Sequence, residues 1–235
     1  MTDADLTDEL QDATSRLVRT VDALTDEEYA AASLLPGWTR GHVVAHLALN
    51  AEALAGVLAG IVSGRPAPMY PSQEQRDTDI EELAAAEPGE LRDRLLASTT
   101  ELADAVAAVP ETGWDTVVER TPGSGRTFVA HAVPGMRLRE VEIHHADLAA
   151  GYTRADWPTS FSQRVVRSMM KRDAGDEPFT AAPHDVDGTW QCGEVTASSP
   201  VVRGSVADLA WWLTGRDDGA GLTTDGGALP RIEAW

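Results

Sequence analysis

Apolar residues recur at near-helical spacing through most of the first 150 residues. The pattern predicts four long helices, which cover roughly residues 3–24, 40–63, 88–109 and 134–150. Thr25 and Glu28 have capping-box spacing and predict a short helical piece between the first two. Four long helices in a segment of this length favour an antiparallel bundle, a fold that places metal sites between facing helices.

Polar caps, prolines and glycines mark the ends of these helices. Thr39 can cap the second long helix, Pro88 lies near the start of the third, and Pro110 follows its end. The prolines and glycine of residues 63–71 predict a loop, and residues 111–128 are expected to form a loop with some strand character.

The chain changes character after Gly151. The pattern there predicts a helix over 160–173, short strands within 188–198, a helix over 205–216 and an irregular tail over 221–235. The expected fold class is therefore α+β with two domains. Residues 1–150 form a helical, metal-binding domain, and residues 151–235 form a small α/β domain.

Composition narrows the choice of partners. The net charge of −19 argues against nucleic acid, which normally requires a basic protein surface. An anionic substrate would need a local cation, either a metal ion or a buried arginine. The start, MTDADLTDEL, is acidic and lacks the basic and apolar regions of a signal peptide, and no apolar run is long enough to span a membrane. A soluble, cytoplasmic protein is expected.

Candidate metal ligands lie on two of the predicted helices. Cys192 is the single cysteine, so a metal would have to be bound by histidines and carboxylates. Glu140 and His144 are four residues apart and project from one helix face, and His42 and His46 have the same spacing on the second long helix.

Two choices stay open on spacing alone. Glu142 and His145 lie on other faces than Glu140 and His144, so one pair is expected to face inward but not both. His46 lies within an apolar run and is expected to point inward. His42 is nearer the helix start and is expected to be exposed to solvent.

Arg216 lies where the last predicted helix ends and permits two interpretations. It can interact with the carbonyl groups at the helix C-terminus, or its planar guanidinium can bind a substrate carboxylate. Cys192 has no basic neighbour, so it is predicted to be structural. The chain has no G-x-S-x-G elbow, P-loop or dinucleotide fingerprint.

Four segments of the chain resemble, in the same order, segments of the mycothiol-dependent maleylpyruvate isomerases, which belong to the DinB-like metalloenzyme superfamily. They are PGWTRGHVVAHLALNAEAL, APMYPSQEQRDTDIEE, MRLREVEIHHADL and LAWWLTGRDDG, and the resemblance runs from about residue 36 to the C-terminus. It implies an N-terminal DinB-like antiparallel four-helix bundle and a C-terminal α/β domain. It also implies zinc, or another divalent first-row metal, bound by His46, Glu140 and His144.

The resemblance further implies a catalytic role for Arg216 and mycothiol as a thiol cofactor in the cleft between the domains. The implied reaction is the isomerisation of maleylpyruvate to fumarylpyruvate in gentisate-type aromatic degradation. A thiolate adds to the cis double bond, the resulting single bond rotates, and the thiolate leaves. A three-ligand zinc site could lower the pKa of that thiol. Another mycothiol-dependent enzyme, such as a thiol S-transferase, and a non-enzymatic metal-binding protein are the alternatives.

Overall fold

The structure, a computed structural model, describes residues 3–171 and 177–232. The chain divides into two compact units, Met1–Gly151 and Tyr152–Trp235. The described residues combine helices with two small sheets, which confirms the predicted α+β class.

The first unit contains all four of the predicted long helices. Its elements are α1 (Asp3–Ala23), α2 (Asp26–Tyr29), α3 (Arg40–Val62), α4 (Gln73–Ala84), α5 (Pro88–Ala108), β1 (Val117–Glu119), β2 (Thr127–Val129) and α6 (Val133–Asp147). The predicted capping box forms, in which Thr25 caps α2 with Glu28. Thr39 caps α3 as predicted, and the side chain of His42 completes a second capping box that was not predicted. Strands β1 and β2 pair antiparallel in the segment predicted to be loop with strand character.

Helix α3 lies at the centre of this unit. It packs against α4, α5 and α6, while α1 packs against α5 and α6. By length and composition alone, α3 could span a membrane, although the sequence pattern had not predicted one. Its apolar side chains are instead buried among the neighbouring helices, from Val43 near its start to Leu58 near its end. Burial on several sides explains why α3 is apolar almost all round.

Helix α4 is a helix that the apolar pattern did not predict. Its sequence is mostly polar, and only Ile80 and Leu83 are buried. Ser72 caps its first turn, and the side chains of Gln73 and Gln75 each donate to an aspartate four residues further on. Because these local hydrogen bonds stabilise a helix without an apolar stripe, periodicity of apolar residues is a poor guide here.

The second unit combines two helices with a four-stranded sheet. Its elements are α7 (Thr159–Met169), β3 (Phe179–Pro183), β4 (Trp190–Cys192), β5 (Val201–Gly204), α8 (Val206–Leu213) and β6 (Thr223–Thr224). The sheet order is β4-β3-β5-β6, in which β3 and β5 are parallel and the other pairs antiparallel. Helices α7 and α8 pack against each other, and α8 contacts β3 and β5.

Two expectations for this unit need correction. The tail predicted to be irregular contributes β6, which completes the sheet by pairing with β5. Within 188–198, only Trp190–Cys192 forms a strand, and turns and bends follow it. The final two residues of the helix predicted over 160–173 lie outside the described residues. Cys192 is buried against β3, in keeping with a structural role.

Candidate metal centre

Three side chains from two helices meet inside the first unit. His46 comes from α3, and Glu140 and His144 come from one face of α6. One ligand atom from each of these residues lies within 4.8 Å of the others. Both histidines are buried and Glu140 is partly buried, so a small ion could be bound with limited access of water.

The residues that precede His46 join α3 to α6. The Thr39 side chain accepts from the backbone N–H of His42 and so fixes the first turn of α3. The next residue, Arg40, donates to the backbone oxygens of Leu148 and Ala149, at 2.8 and 2.7 Å, just after the end of α6. These contacts hold the ligand-bearing ends of the two helices together. Thr39 and Arg40 of the GWTR segment therefore have a structural role.

Arg137 makes a second connection between the two helices. Its Nη1 donates to the backbone oxygen of Leu47 at 2.8 Å and to Oδ1 of Asn50 at 2.9 Å, and the residue is 1% exposed. Burial lowers the pKa of Arg137 to about 10, although the charges of Glu140 and Tyr70 oppose the shift. Because Leu47 follows His46, this bond holds α3 directly beside the candidate ligand.

Close polar contacts join the three side chains. Nε2 of His46 lies 3.0 Å from Oε2 of Glu140, and Nε2 of His144 lies 3.3 Å from the same oxygen. On its far side, Nδ1 of His144 lies 2.8 Å from Oδ2 of the fully buried Asp147. A carboxylate behind a histidine fixes its ring and increases its strength as a metal ligand.

Asp147, the partner of His144, was not predicted from the sequence. It lies three residues after His144, on the same face of α6, in the segment HHADL. A carboxylate at this spacing could have been recognised as a partner for the outer nitrogen of a metal-binding histidine.

The two histidines differ in their protonation. Burial lowers the pKa of His46 to about 4, so this ring is neutral near pH 7. Burial also acts against protonation of His144, but its hydrogen bonds to Asp147 and Glu140 outweigh burial and raise its pKa. For Glu140, burial is opposed by the hydrogen bonds from His144 and His46, which hold its pKa well below the usual value.

This donor set fits a divalent first-row metal ion. Two imidazole nitrogens and one carboxylate are the three protein ligands that catalytic zinc sites commonly use, with a further position left open. Glu140 supplies the negative charge that the ion would neutralise, and Asp147 supplies the outer carboxylate.

The expectation that only one of the two pairs on α6 faces inward is wrong. Glu142 and His145 are buried as completely as Glu140 and His144. Helix α1 covers their side of α6, while α3 packs on the helix as well. Nη2 of Arg16 donates to Glu142 at 2.8 Å, and Nε2 of His145 lies 2.8 Å from Oγ1 of Thr20. This second pair therefore joins α6 to α1, away from the candidate ligands.

His42 is less exposed than its position near the helix start suggested. Its side chain is 19% exposed and makes the capping interaction with Thr39, while Nε2 lies 3.3 Å from Oε2 of Glu81. These contacts assign His42 to the start of α3, and His46 is the histidine of this helix that joins Glu140.

Arg216 lies in the second unit, directly after α8. Its Nη1 donates to the backbone oxygen of Thr214, the C-terminal cap of α8, at 3.1 Å. This is the helix-end contact that one interpretation of the sequence predicted. The catalytic interpretation stays a prediction.

The protonation of His144 predicts how metal affinity depends on pH. A metal ion can bind Nε2 only after the proton has left, and the pKa of His144 is raised above 6.5. Below that raised pKa, binding releases one proton, so the affinity is expected to rise by about tenfold per pH unit. Above it the affinity should level off. Competition with a chelator across this range measures the effect, and a flat profile would contradict the assignment.

Replacing Asp147 with asparagine is expected to weaken metal binding by about 10- to 100-fold, the usual cost of losing an outer carboxylate. Asparagine keeps the size and can still accept from Nδ1 of His144, but it loses the charge that makes the ring a stronger ligand. Zinc affinity measured by chelator competition tests this, with a melting curve of the metal-free variant as the control. Unchanged affinity would show that Asp147 has no influence on the site.

Comparison with known proteins shows what the chain is similar to. Residues 10–149 match the family described as the mycothiol maleylpyruvate isomerase N-terminal domain. The chain is similar to a crystal structure of the mycothiol-dependent maleylpyruvate isomerase, with 28% identity and a TM-score of 0.91. It is also similar to a histidine-to-alanine mutant of that enzyme, with 27% identity and a TM-score of 0.90. Both alignments cover 100% of this chain and 98% of the solved chain. No curated protein matches the chain.

Proposed function

Because this chain belongs to the family of the mycothiol maleylpyruvate isomerase N-terminal domain, we propose that it is a mycothiol-dependent isomerase that converts maleylpyruvate to fumarylpyruvate. The observation that carries the proposal is the convergence of His46, Glu140 and His144 within 4.8 Å in that domain. The similarity to the solved isomerase extends over the full chain and so includes the second unit as well as the first.

The three ligands and their supports each have a defined task in this proposal. His46, Glu140 and His144 would hold zinc or another divalent first-row ion, which as a Lewis acid would lower the pKa of a bound thiol. Asp147 orients His144. With three protein ligands, a bound ion would keep a place for the sulfur of mycothiol, and the chemistry it would supply is activation of that thiol for reversible addition to the cis double bond.

The protein also has to bind an anionic substrate. Maleylpyruvate carries carboxylates and develops an enolate when a nucleophile adds to its alkene. We assign to Arg216 the binding of a carboxylate or the stabilisation of that enolate, because a guanidinium can donate two parallel hydrogen bonds. Its contact with Thr214 would then serve to position the side chain at the end of α8.

Two finer features belong to the same proposal. The contacts of α1 with α5 and α6, and of α3 with the same two helices, support a DinB-like antiparallel four-helix bundle for residues 1–150. Residues 151–235 would then form the separate α/β domain. A cytoplasmic location belongs to the same proposal, and the proposed substrate implies a place in gentisate-type aromatic degradation.

The decisive experiment is an isomerase assay with mycothiol added or withheld, in parallel with metal analysis of the same protein. We expect turnover of maleylpyruvate only when both mycothiol and the metal are present. Mass spectrometry of the product separates the proposed reaction from S-transfer, since an isomerase returns the thiol and a transferase retains the C–S bond. Loss of mycothiol into a stable thioether would replace the isomerase proposal with the transferase alternative.

A further inference from the structure

The indole of Trp38 lies against His46, one of the candidate metal ligands. The centres of the two rings are 5.7 Å apart, with their planes at 55°. The ring of His42 is stacked on the same indole, at 6.1 Å and 26°. The His46 ring is in turn edge-on to the ring of His144, at 4.6 Å and 84°. A chain of ring contacts therefore leads from Trp38 into the candidate metal centre.

The place of Trp38 in the sequence explains part of this arrangement. Trp38 directly precedes Thr39, the N-cap of α3. An apolar residue at that position commonly packs on the start of its helix, and helical side chains lean towards the helix N-terminus. His42 and His46 are one turn apart on the same face, so both rings lean towards the indole. Contact with His46, about two turns into α3, goes beyond what the start of a helix requires.

The loop of residues 33–38 fixes the position of Trp38. The backbone oxygen of Trp38 accepts from the backbone N–H of Ser33 at 3.0 Å and from Oγ of Ser33 at 2.9 Å. In the same loop, the backbone N–H of Leu34 donates to the backbone oxygen of Asp147 at 2.8 Å. The loop is thus bonded to α6 and places its indole on α3, the two helices that carry the candidate ligands.

Packing and polar contacts together hold the His46 ring. Its Nε2 lies 3.0 Å from Oε2 of Glu140, and its Nδ1 lies 3.3 Å from Nη2 of Arg76. His46 is 4% exposed, and the indole supplies part of that cover while Trp38 itself keeps some exposed surface. Because closely packed side chains cannot rotate independently, the His46 ring cannot turn away from Glu140 unless the indole moves.

We propose that Trp38 is a positioning residue of the metal centre: its indole holds the His46 ring in the orientation in which the imidazole can bind the ion. The inference rests on the proposed function in one respect, since it needs the same three side chains to bind a metal. The geometry of a metal site depends on the groups packed around its ligands, and apolar neighbours also limit the access of water. The indole would do both for His46.

The alternative is that Trp38 only stabilises the start of α3. Its loss would then lower the melting temperature and leave metal binding unaffected. Trp114 provides the matched control, because it is another partly buried tryptophan of the first unit and packs against the apolar cluster that includes Leu58 and Val118. Within the described part of the chain, no ring contact joins Trp114 to the candidate ligands.

The first test measures zinc affinity by competition with a chelator. Trp38→Ala should weaken binding by about tenfold, as when other groups that orient a metal ligand are removed. Trp38→Phe keeps an aromatic ring and should restore most of the affinity. Trp114→Ala should bind zinc as the wild type does, although both alanine variants should melt at a lower temperature. Equal zinc affinities for Trp38→Ala and Trp114→Ala would overturn the proposal.

A further variant covers the case in which Trp38→Ala does not fold. Trp38→Leu fills part of the space of the indole without supplying a ring, so the same loss of zinc affinity is expected of it. Zinc binding by Trp38→Leu as tight as that of the wild type would contradict the positioning role.

The second test measures the geometry around the ion at saturation, where affinity no longer matters. Cobalt(II) takes the place of zinc, and its visible absorption depends on the number and arrangement of its ligands. A His46 ring that is free to rotate should change the absorption bands of Trp38→Ala relative to the wild type, and Trp38→Phe should restore them. Identical cobalt spectra for the wild type and Trp38→Ala would refute the proposal.

Neither test depends on turnover. A protein that shows both effects of Trp38→Ala, yet fails to isomerise maleylpyruvate with mycothiol, would keep the positioning role and lose the proposed reaction. An active isomerase whose metal binding is unaffected by Trp38→Ala would keep the reaction and lose the positioning role.

Discussion

Replacing Glu140 with glutamine is expected to abolish tight metal binding, and isomerisation with it, while the fold remains intact. Glu140 contributes the negative charge of the candidate ligand set, and its Oε2 contacts both histidines. Loss of an outer carboxylate costs about 10- to 100-fold in affinity, so loss of the charged ligand itself should cost more. Metal content after dialysis, together with turnover in the presence of mycothiol, measures both effects.

The same substitution two residues further on provides the matched control. Glu142 is also buried on α6, but its partner is Arg16 of α1, at 2.8 Å. Glu142→Gln should leave metal content unchanged and lower the free energy of unfolding by about 1–3 kcal/mol, because a buried charged hydrogen bond is weakened. Water can partly compensate Arg16, whose side chain is 33% exposed.

The two variants should therefore differ in metal content. Glu140→Gln should lose the metal and Glu142→Gln should keep it, while both lose a buried charged contact and melt at a lower temperature. If Glu142→Gln lost the metal and Glu140→Gln kept it, the face of α6 that binds the metal would have been assigned wrongly.

The sequence was sufficient to find most of this site because its ligands follow helical periodicity. Glu140 and His144 are one turn apart, so any helix over this segment places them on one face. His46 is surrounded by apolar residues in sequence, and its burial follows from that. Spacing alone could not pair the two helices, and that step came from the resemblance to the isomerase family.

Features that depend on tertiary contacts were harder to predict. Burial of Glu142 and His145 requires α1 to pack on α6, and no local pattern encodes that contact. The approach of Arg76 to His46 requires α4, a polar helix that apolar periodicity did not reveal. Likewise, the parallel pairing of β3 with β5 joins segments about 20 residues apart in the sequence. A local sequence pattern does not predict which strands pair.

Replacing Arg216 with alanine is expected to lower turnover by about 10²- to 10³-fold, the cost of losing one donor that stabilises a developing oxyanion. The competing interpretation predicts something different. A cation at a helix C-terminus contributes only about 0.3–1 kcal/mol to stability and nothing to the reaction. Since Arg216 does donate to Thr214, a small change in melting temperature is expected in either case. Turnover therefore decides between the two roles.

The division of the loss between kcat and KM identifies what Arg216 binds. A clamp on the substrate carboxylate acts on the ground state and should appear mainly in KM, whereas stabilisation of the enolate acts in the transition state and should appear in kcat. Arg216→Lys retains the charge without the paired donors, so it should recover little activity if bidentate geometry matters. Arg203→Ala, on the exposed side of β5, is the control and should keep full activity. Unchanged turnover of Arg216→Ala, with the metal still bound, would leave Arg216 only its structural contact with Thr214 at the end of α8.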